Sequence, residues 1–350
     1  MTLGVILGAS FRVLRRNPRP IVGFSLVLHA ILAIINIAVN LLFTVGALGE
    51  YFDALNKISS TGELDASSTS GLVSSLVVAY ATTFVAQLFT YAANAILQGI
   101  ITTEVARGTV GEKLPLSALW ARTRGRIGAL LGWAGLVILA VLVVLGLLIG
   151  LLVLLFTVGG TGGAIAGGIL AFLFFFGALV AGVWLSTKLS LVPSTLVIER
   201  LTLRQAIARS WSLTKGYFWR TFGIELLVTV ILAAAASVVE LPVSIVIEIV
   251  TALGNPTGFA SGSSAVQSVV GVSSIATEIV AALVTTITSI VATASTALIY
   301  IDLRIRKEGL DLTLMKFVDA RAEGRTEVPD PYLVAPATVT PPADGAESRP

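Results

Sequence analysis

The sequence predicts an all-α membrane protein: six transmembrane helices arranged as three pseudo-repeated hairpins, each preceded by a basic interfacial helix. Three observations lead there. First, all of the 23 Lys and Arg residues except Lys57 fall in four clusters, at 12–19, 107–126, 188–220 and from 304 onward. Second, each interval between clusters holds two apolar passes, so every cluster returns to the same side. Third, 55% of the chain is hydrophobic and only 12% charged, with mean hydropathy +0.94. A soluble domain carries about 25% charged residues. That much apolar surface exceeds what one core can hide, so the lipid bilayer is the expected solvent.

The elements follow in order. Residues 1–20 read as an amphipathic interfacial helix, because Leu3, Leu7, Ser10, Phe11 and Leu14 share one helical face. A membrane domain over 21–316 follows, with spans at about 21–47, 71–103, 127–158, 163–187, 218–250 and 269–301. A span needs about 20 apolar residues. Most of these are longer, so they must tilt, kink or run along an interface. Pro242 predicts a kink in the fifth span and an interfacial continuation through Val250. The first span reads as retained, since its basic flank and apolar run lack a small-residue cleavage site. Residues 317–350 read as a cytoplasmic tail, mostly disordered, because they are rich in Pro, Ala and Thr without apolar periodicity.

Lys and Arg are retained on the cytoplasmic side of membranes. The clusters therefore place both termini in the cytoplasm. The connections at 49–70, 158–162 and 254–267 then lie outside. The first of these is acidic, with Glu50, Asp53, Glu63 and Asp65, the second is a tight Gly turn, and the third is uncharged. Heavy use of Ala, Gly and Val, with 17 Arg to 6 Lys, fits a high-GC bacterial chain. The expected location is a bacterial inner (cell) membrane.

The basic segments share a spacing. An aromatic residue is followed four positions later by a base and twelve positions later by a Gly. The copies are Phe11, Arg15, Gly23; Trp120, Arg124, Gly132; and Trp211, Lys215, Gly223. The return spans also close alike, with Glu104 and Arg107, Glu199 and Arg200, and Asp302 and Arg304. The repeated unit is an interfacial helix, a span out and a span back.

Two stretches are more specific. Residues 193–224 read PSTLVIERLTLRQAIARSWSLTKGYFWRTFGI, and the sixth span ends ALIYIDLRIRKEGLDL. They resemble the membrane domain associated with bacterial glycerophosphoryl diester phosphodiesterases, and the related stand-alone actinobacterial membrane proteins of unknown function. The matching residues are Pro193, Glu199, Arg209, Ser210, Trp211, Leu213, Thr214, Gly216, Phe218, Trp219 and Arg220, then Tyr300, Asp302, Arg304, Arg306, Glu308 and Gly309. The resemblance is diffuse over 1–187. It implies a membrane module whose catalytic barrel is absent here, since only the tail follows the last span.

The candidate residues form two groups. The lipid and interface candidates are Arg15, Trp120, Arg124, Arg204, Arg209, Trp211, Lys215, Trp219 and Arg220. Interfacial Trp favours headgroup depth, and each nearby base gains about 1 kcal/mol at an anionic surface. The intramembrane polar candidates are His29, Glu225, Glu240, Glu248 and Glu278. His29 lies ten residues past Arg19, about 15 Å along a helix, at mid-bilayer depth. It reads as a hydrogen bond to a neighbouring helix backbone, or as a proton relay or ligand contact. Glu225 is expected to pair with a cytoplasmic base. Glu240, Glu248 and Glu278 fall near the outer surface, where they either reach headgroups singly or face one vestibule and bind a cationic group. The hydroxyls of the sixth span either line a polar path or bond back to their own helix. The run 159–168 (GGTGGAIAGG) reads as a turn and a packing face, since it lacks the Lys and Ser/Thr of a phosphate loop.

No Cys and a single His leave no Cys-based chemistry and no His-rich metal site. No cofactor, no metal and no nucleic acid are expected, and the chain is not expected to be an enzyme. The expected function is a non-catalytic membrane scaffold, or a partner- or lipid-binding module of the cell envelope. Its expected partners are the lipid bilayer, anionic headgroups and other membrane proteins. The alternative is a transporter or channel for a small solute or lipid, using the polar sixth span and the outer acids.

Overall fold

The computed structural model describes residues 3–39, 45–61, 66–158, 160–254, 264–325 and 328–333. The described residues are helical almost throughout and contain no strand. The helices are α1 (Leu3–Arg16), α2 (Pro18–Val39), α3 (Val45–Thr61), α4 (Ala66–Thr109), α5 (Leu116–Thr123), α6 (Ile127–Val158), α7 (Gly160–Leu189), α8 (Val192–Ile198), α9 (Leu203–Thr214), α10 (Phe218–Gly254), α11 (Ser264–Glu308) and α12 (Leu310–Ala322). Six of them, α2, α4, α6, α7, α10 and α11, are long and apolar enough to cross a membrane. Regular hydrogen bonding inside each helix satisfies the backbone where lipid offers no partner.

The long helices pack as consecutive pairs: α2 on α4, α6 on α7 and α10 on α11. α4 and α11 also touch each other, and both touch α2, so these three form the centre. The α6–α7 pair is peripheral. The most apolar stretch of each of its helices has no buried residue. Gly99 lets α4 approach α5 and α6 closely: a Cβ there would sit 2.6 Å from Thr123 Cγ2 and 2.7 Å from a Leu130 methyl.

The main core lies at the basic end, where α1 and α8–α10 close around α4 and α11. Ile6, Leu97, Ile101, Leu213, Ala294 and Tyr300 are among its fully buried members. Ser10 of α1 and Ser295 of α11 hydrogen-bond at 2.8 Å inside it. Short helices α1, α5 and α9 precede α2, α6 and α10. Their aromatic residues are similarly exposed: Phe11 at 43%, Trp120 at 40% and Trp211 at 39%.

Several expectations need correction. The acidic connection at 49–70 is largely helical. α3 lies against α4 and buries Ala54, because its apolar face finds a partner there. α4 and α11, at 44 and 45 residues, extend well beyond their expected spans. At about 1.5 Å per residue, both exceed twice the roughly 30 Å hydrocarbon thickness. α10 stays helical past Pro242 and beyond Val250, as far as Gly254. A Pro removes only one ladder bond, and an apolar surrounding favours keeping the rest. The boundary at 317 falls inside α12, where Phe317 is buried. The tail does not loosen at once either, since Tyr332 is 1% exposed. Both aromatics are anchors that composition alone disguised. Gly159, the connection at 255–263 and residues 334–350 lie outside the described residues.

Candidate functional site

Two polar assemblies stand out from the apolar bundle. The first is a cavity of about 260 Å³ between α2, α4 and α11. His29, Asn36, Gln87, Thr90, Glu278 and Thr285 supply much of its polar lining, with Ala and Leu between them. Counted along α11, Glu278 lies 24 residues before Asp302, or about 36 Å. The cavity therefore occupies the half of the bundle away from the basic end.

The hydrogen bonds fix what His29 offers. Its Nδ1 lies 2.8 Å from the Ser25 carbonyl and 3.3 Å from Thr286 Oγ1. A carbonyl only accepts, and the Thr286 hydroxyl donates to the Ala282 carbonyl at 2.7 Å. Both neighbours are acceptors towards the ring, so Nδ1 carries the proton. That leaves Nε2, the other ring nitrogen. It is buried and, among the described residues, has no partner. Nearby, the Asn36 amide donates to Glu278 Oε1 at 3.2 Å. His29 and the Glu278 carboxylate thus both line the cavity.

The structure does not bring the three outer acids together. Glu240 and Glu248 are exposed on α10, and only Glu278 lines the cavity. Among the described residues no base pairs with Glu225, whose Oε1 is buried without a partner; the nearby hydroxyl is that of Ser190. Within α11, Thr286, Thr288, Ser289, Ser295 and Thr296 all donate back to their own helix. Of the hydroxyls, Thr285 alone joins the cavity lining from that helix.

The second assembly is a charged cluster at the basic end, and it unites the two stretches that carry the family resemblance. The Glu199 carboxylate, with its side chain fully buried, accepts from Tyr300 Oη at 2.6 Å and from Arg209 Nε at 2.9 Å. Arg304 donates to Tyr300 Oη at 3.1 Å and pairs with Glu308 at 2.9 Å, and Arg209 reaches Glu308 at 2.6 Å. Beside it, Arg220 and Arg306 converge on Asp302 at 3.1 and 3.0 Å. Ser210 donates to the Lys188 carbonyl at 2.7 Å, and the Lys188 ammonium lies over the Trp211 and Phe218 rings. Local signals set these elements. Thr202 and Gln205 start α9 with a side-chain-to-backbone bond of 3.1 Å. Gly309, at φ 64°, makes the left-handed turn from α11 into α12.

The interface candidates therefore divide. Arg15, Arg124, Arg204 and Lys215 are exposed and form no ion pair among the described residues. Trp219 is 78% exposed, and Trp120 and Trp211 about half as much. Arg209 and Arg220, in contrast, belong to the charged cluster. Their amphipathic spacing looked interfacial because the acids that hold them, Glu199, Glu308 and Asp302, lie 10 to 99 residues away.

Sequence reasoning missed a strap, residues 328–333. The Asp330 carboxylate pairs with Arg107. Tyr332 Oη meets Thr109 Oγ1 and donates to the Ala106 carbonyl at 3.0 Å, and Arg304 donates to the Tyr332 carbonyl at 2.9 Å. Burial pushes the Tyr332 phenol up to about 12. Its signal was a lone Tyr between apolar neighbours in a Pro-rich run. Asn36 and Gln87 were missed too, although an amide inside an apolar span is itself a signal. Among the described residues, no three His, Asp or Glu side chains are grouped to hold a metal.

Compared with protein families, with curated proteins and with solved structures, the chain matches none.

Proposed function

We propose that this chain is a non-catalytic, multi-pass protein of a bacterial inner membrane, with both termini cytoplasmic, and that its cavity binds the ammonium headgroup of a lipid. One observation carries this reading. His29, whose buried Nε2 has no partner among the described residues, lines the same cavity as the Glu278 carboxylate. An unpaired buried acceptor costs about 1–3 kcal/mol. A donor-rich cation would satisfy both groups at once, whereas an anion would be repelled by Glu278. The cavity is too small for a whole lipid. On the same three helices Ile31, Ile34, Tyr80 and Ile279 are exposed, and acyl chains can lie along them.

The rest of the molecule fits a binding module. The basic end, with exposed Arg15, Arg124, Arg204 and Lys215 beside Trp120, Trp211 and Trp219, suits an anionic inner leaflet. The three helix pairs, each opened by a short basic helix, act in this reading as a triplicated frame. The ion-paired signature residues brace it, as the membrane domain of the resembling family would be braced. A scaffolding role towards other membrane proteins is compatible with the wide apolar faces of α6 and α7. The transporter reading draws less support, because most hydroxyls of α11 are spent on their own helix.

Native mass spectrometry tests the reading. The wild type should retain phosphatidylethanolamine over phosphatidylglycerol, and Glu278→Gln should lose that preference. Equal retention of both lipids by the wild type would contradict it.

A further inference from the structure

The basic end contains a pocket that neither the cavity nor the charged cluster uses. It measures about 210 Å³ and is walled by Arg107, Arg122, Arg200 and Arg321, with Glu112 and Asp330 as the only acids among its described residues. Four guanidinium groups face two carboxylates. Glu112 is shared: it pairs with Arg321 at 2.7 Å and lies 3.9 Å from both Arg107 and Arg122. Arg107 is held by Asp330. Arg200 forms no ion pair among the described residues. Cationic charge is left over, and it is concentrated on Arg122 and Arg200.

The backbone at Arg200 is unusual. Its φ is 54°, the only positive value outside glycine among the described residues. A side chain there costs about 1–2 kcal/mol relative to an ordinary conformation. Glycine would remove that cost but also the guanidinium that lines the pocket. The other unusual part is the strap. Asp330 does not belong to the helical bundle; it arrives from the segment after α12 and delivers a carboxylate to Arg107. The pocket therefore already accepts one oxyanion, supplied from within the chain.

We propose that this pocket is a binding site for a phosphate-type dianion, gripped by Arg107, Arg122 and Arg200, and that Asp330 is an internal stand-in that the ligand displaces. Guanidinium forks match phosphate oxygens in pairs, and a dianion answers the surplus charge better than one carboxylate does. The strap then reports occupancy, because Arg107 cannot hold both groups. The site is independent of the ammonium cavity, which lies in the other half of the bundle.

The test uses the full chain in nanodiscs of phosphatidylcholine. Asp330→Asn empties the pocket of its stand-in while keeping the side-chain shape. Arg200→Gly removes one guanidinium while relaxing the backbone, so loss of folding does not confuse it. In one arm inorganic phosphate is titrated by calorimetry. In the other, phosphatidate is added to the nanodisc and its retention is measured by mass spectrometry. Asp330→Asn should bind at least tenfold tighter than wild type, and adding Arg200→Gly should abolish the gain. A gain confined to inorganic phosphate marks a free solute as the ligand, and a gain confined to phosphatidate marks a headgroup. If the three proteins behave alike in both arms, or if Arg200→Gly leaves the gain intact, the proposal is overturned.

Discussion

The Tyr300 hydroxyl donates to the Glu199 carboxylate at 2.6 Å, joining residues 101 positions apart. Neither group is open to solvent, and Arg209 and Arg304 close the cluster from either side. The bond ties the end of the sixth apolar helix to the turn that follows α8. It makes the charged residues of the resemblance a brace within the protein.

Removing one partner of a buried ion pair leaves the other uncompensated, at a cost of about 3–5 kcal/mol. Arg209→Ala should fall near the lower end, because Arg304 still faces Glu199. Tyr300→Phe removes only the hydroxyl and should cost about 1–3 kcal/mol. Arg204→Ala, five residues earlier and exposed, should change stability by less than about 0.5 kcal/mol. Thermal unfolding in nanodiscs separates the three. Equal melting of Arg209→Ala and Arg204→Ala would place Arg209 at the lipid surface instead.

The strap should respond to alkali. A free tyrosine titrates near 10, and docking raises Tyr332 to about 12. A raised folded value means the docked state holds its proton more tightly. The stabilisation is therefore complete below pH 10 and is lost as the pH rises through 10 towards 12. Subtracting the phenolate absorbance titration of Tyr332→Phe from that of wild type isolates this one group. A midpoint near 10 would show that the strap is undocked.

Orientation can be read from single cysteines, since the chain has none of its own. Ser60 on α3, Ser117 on α5 and Ser212 on α9 are all exposed, whereas Ser210 is fully buried and would label poorly. Cysteine at Ser60 should react with an impermeant reagent on intact cells. Cysteines at Ser117 and Ser212 should react only after lysis. Outside labelling at Ser117 would refute a cytoplasmic basic end.

Much of this architecture was legible because lipid enforces it. Apolar length and Lys/Arg clustering mark the six long helices in the sequence as plainly as in the structure. What sequence could not give was pairing over distance. Arg209 and Arg220 look like rim residues until Glu199, Glu308 and Asp302 are brought beside them. Glu240 and Glu278 look equivalent by depth, but they lie on helices that turn them to different surroundings. Tyr332 sits in a tail whose composition predicts disorder, and one aromatic and one acid suffice to dock it. Asn36 gains meaning only when α2 meets α11 and it finds Glu278.

The central proposal is that the cavity lined by His29 and Glu278 binds an ammonium headgroup. Because His29 is the only histidine, nitrogen NMR of ¹⁵N-histidine-labelled protein reads it without assignment. The account predicts a neutral ring protonated at Nδ1 and unprotonated at Nε2. It also predicts that the Nε2 signal shifts when phosphatidylethanolamine is added, and that Glu278→Gln weakens the response. A proton on Nε2, or a signal indifferent to that lipid, would contradict it.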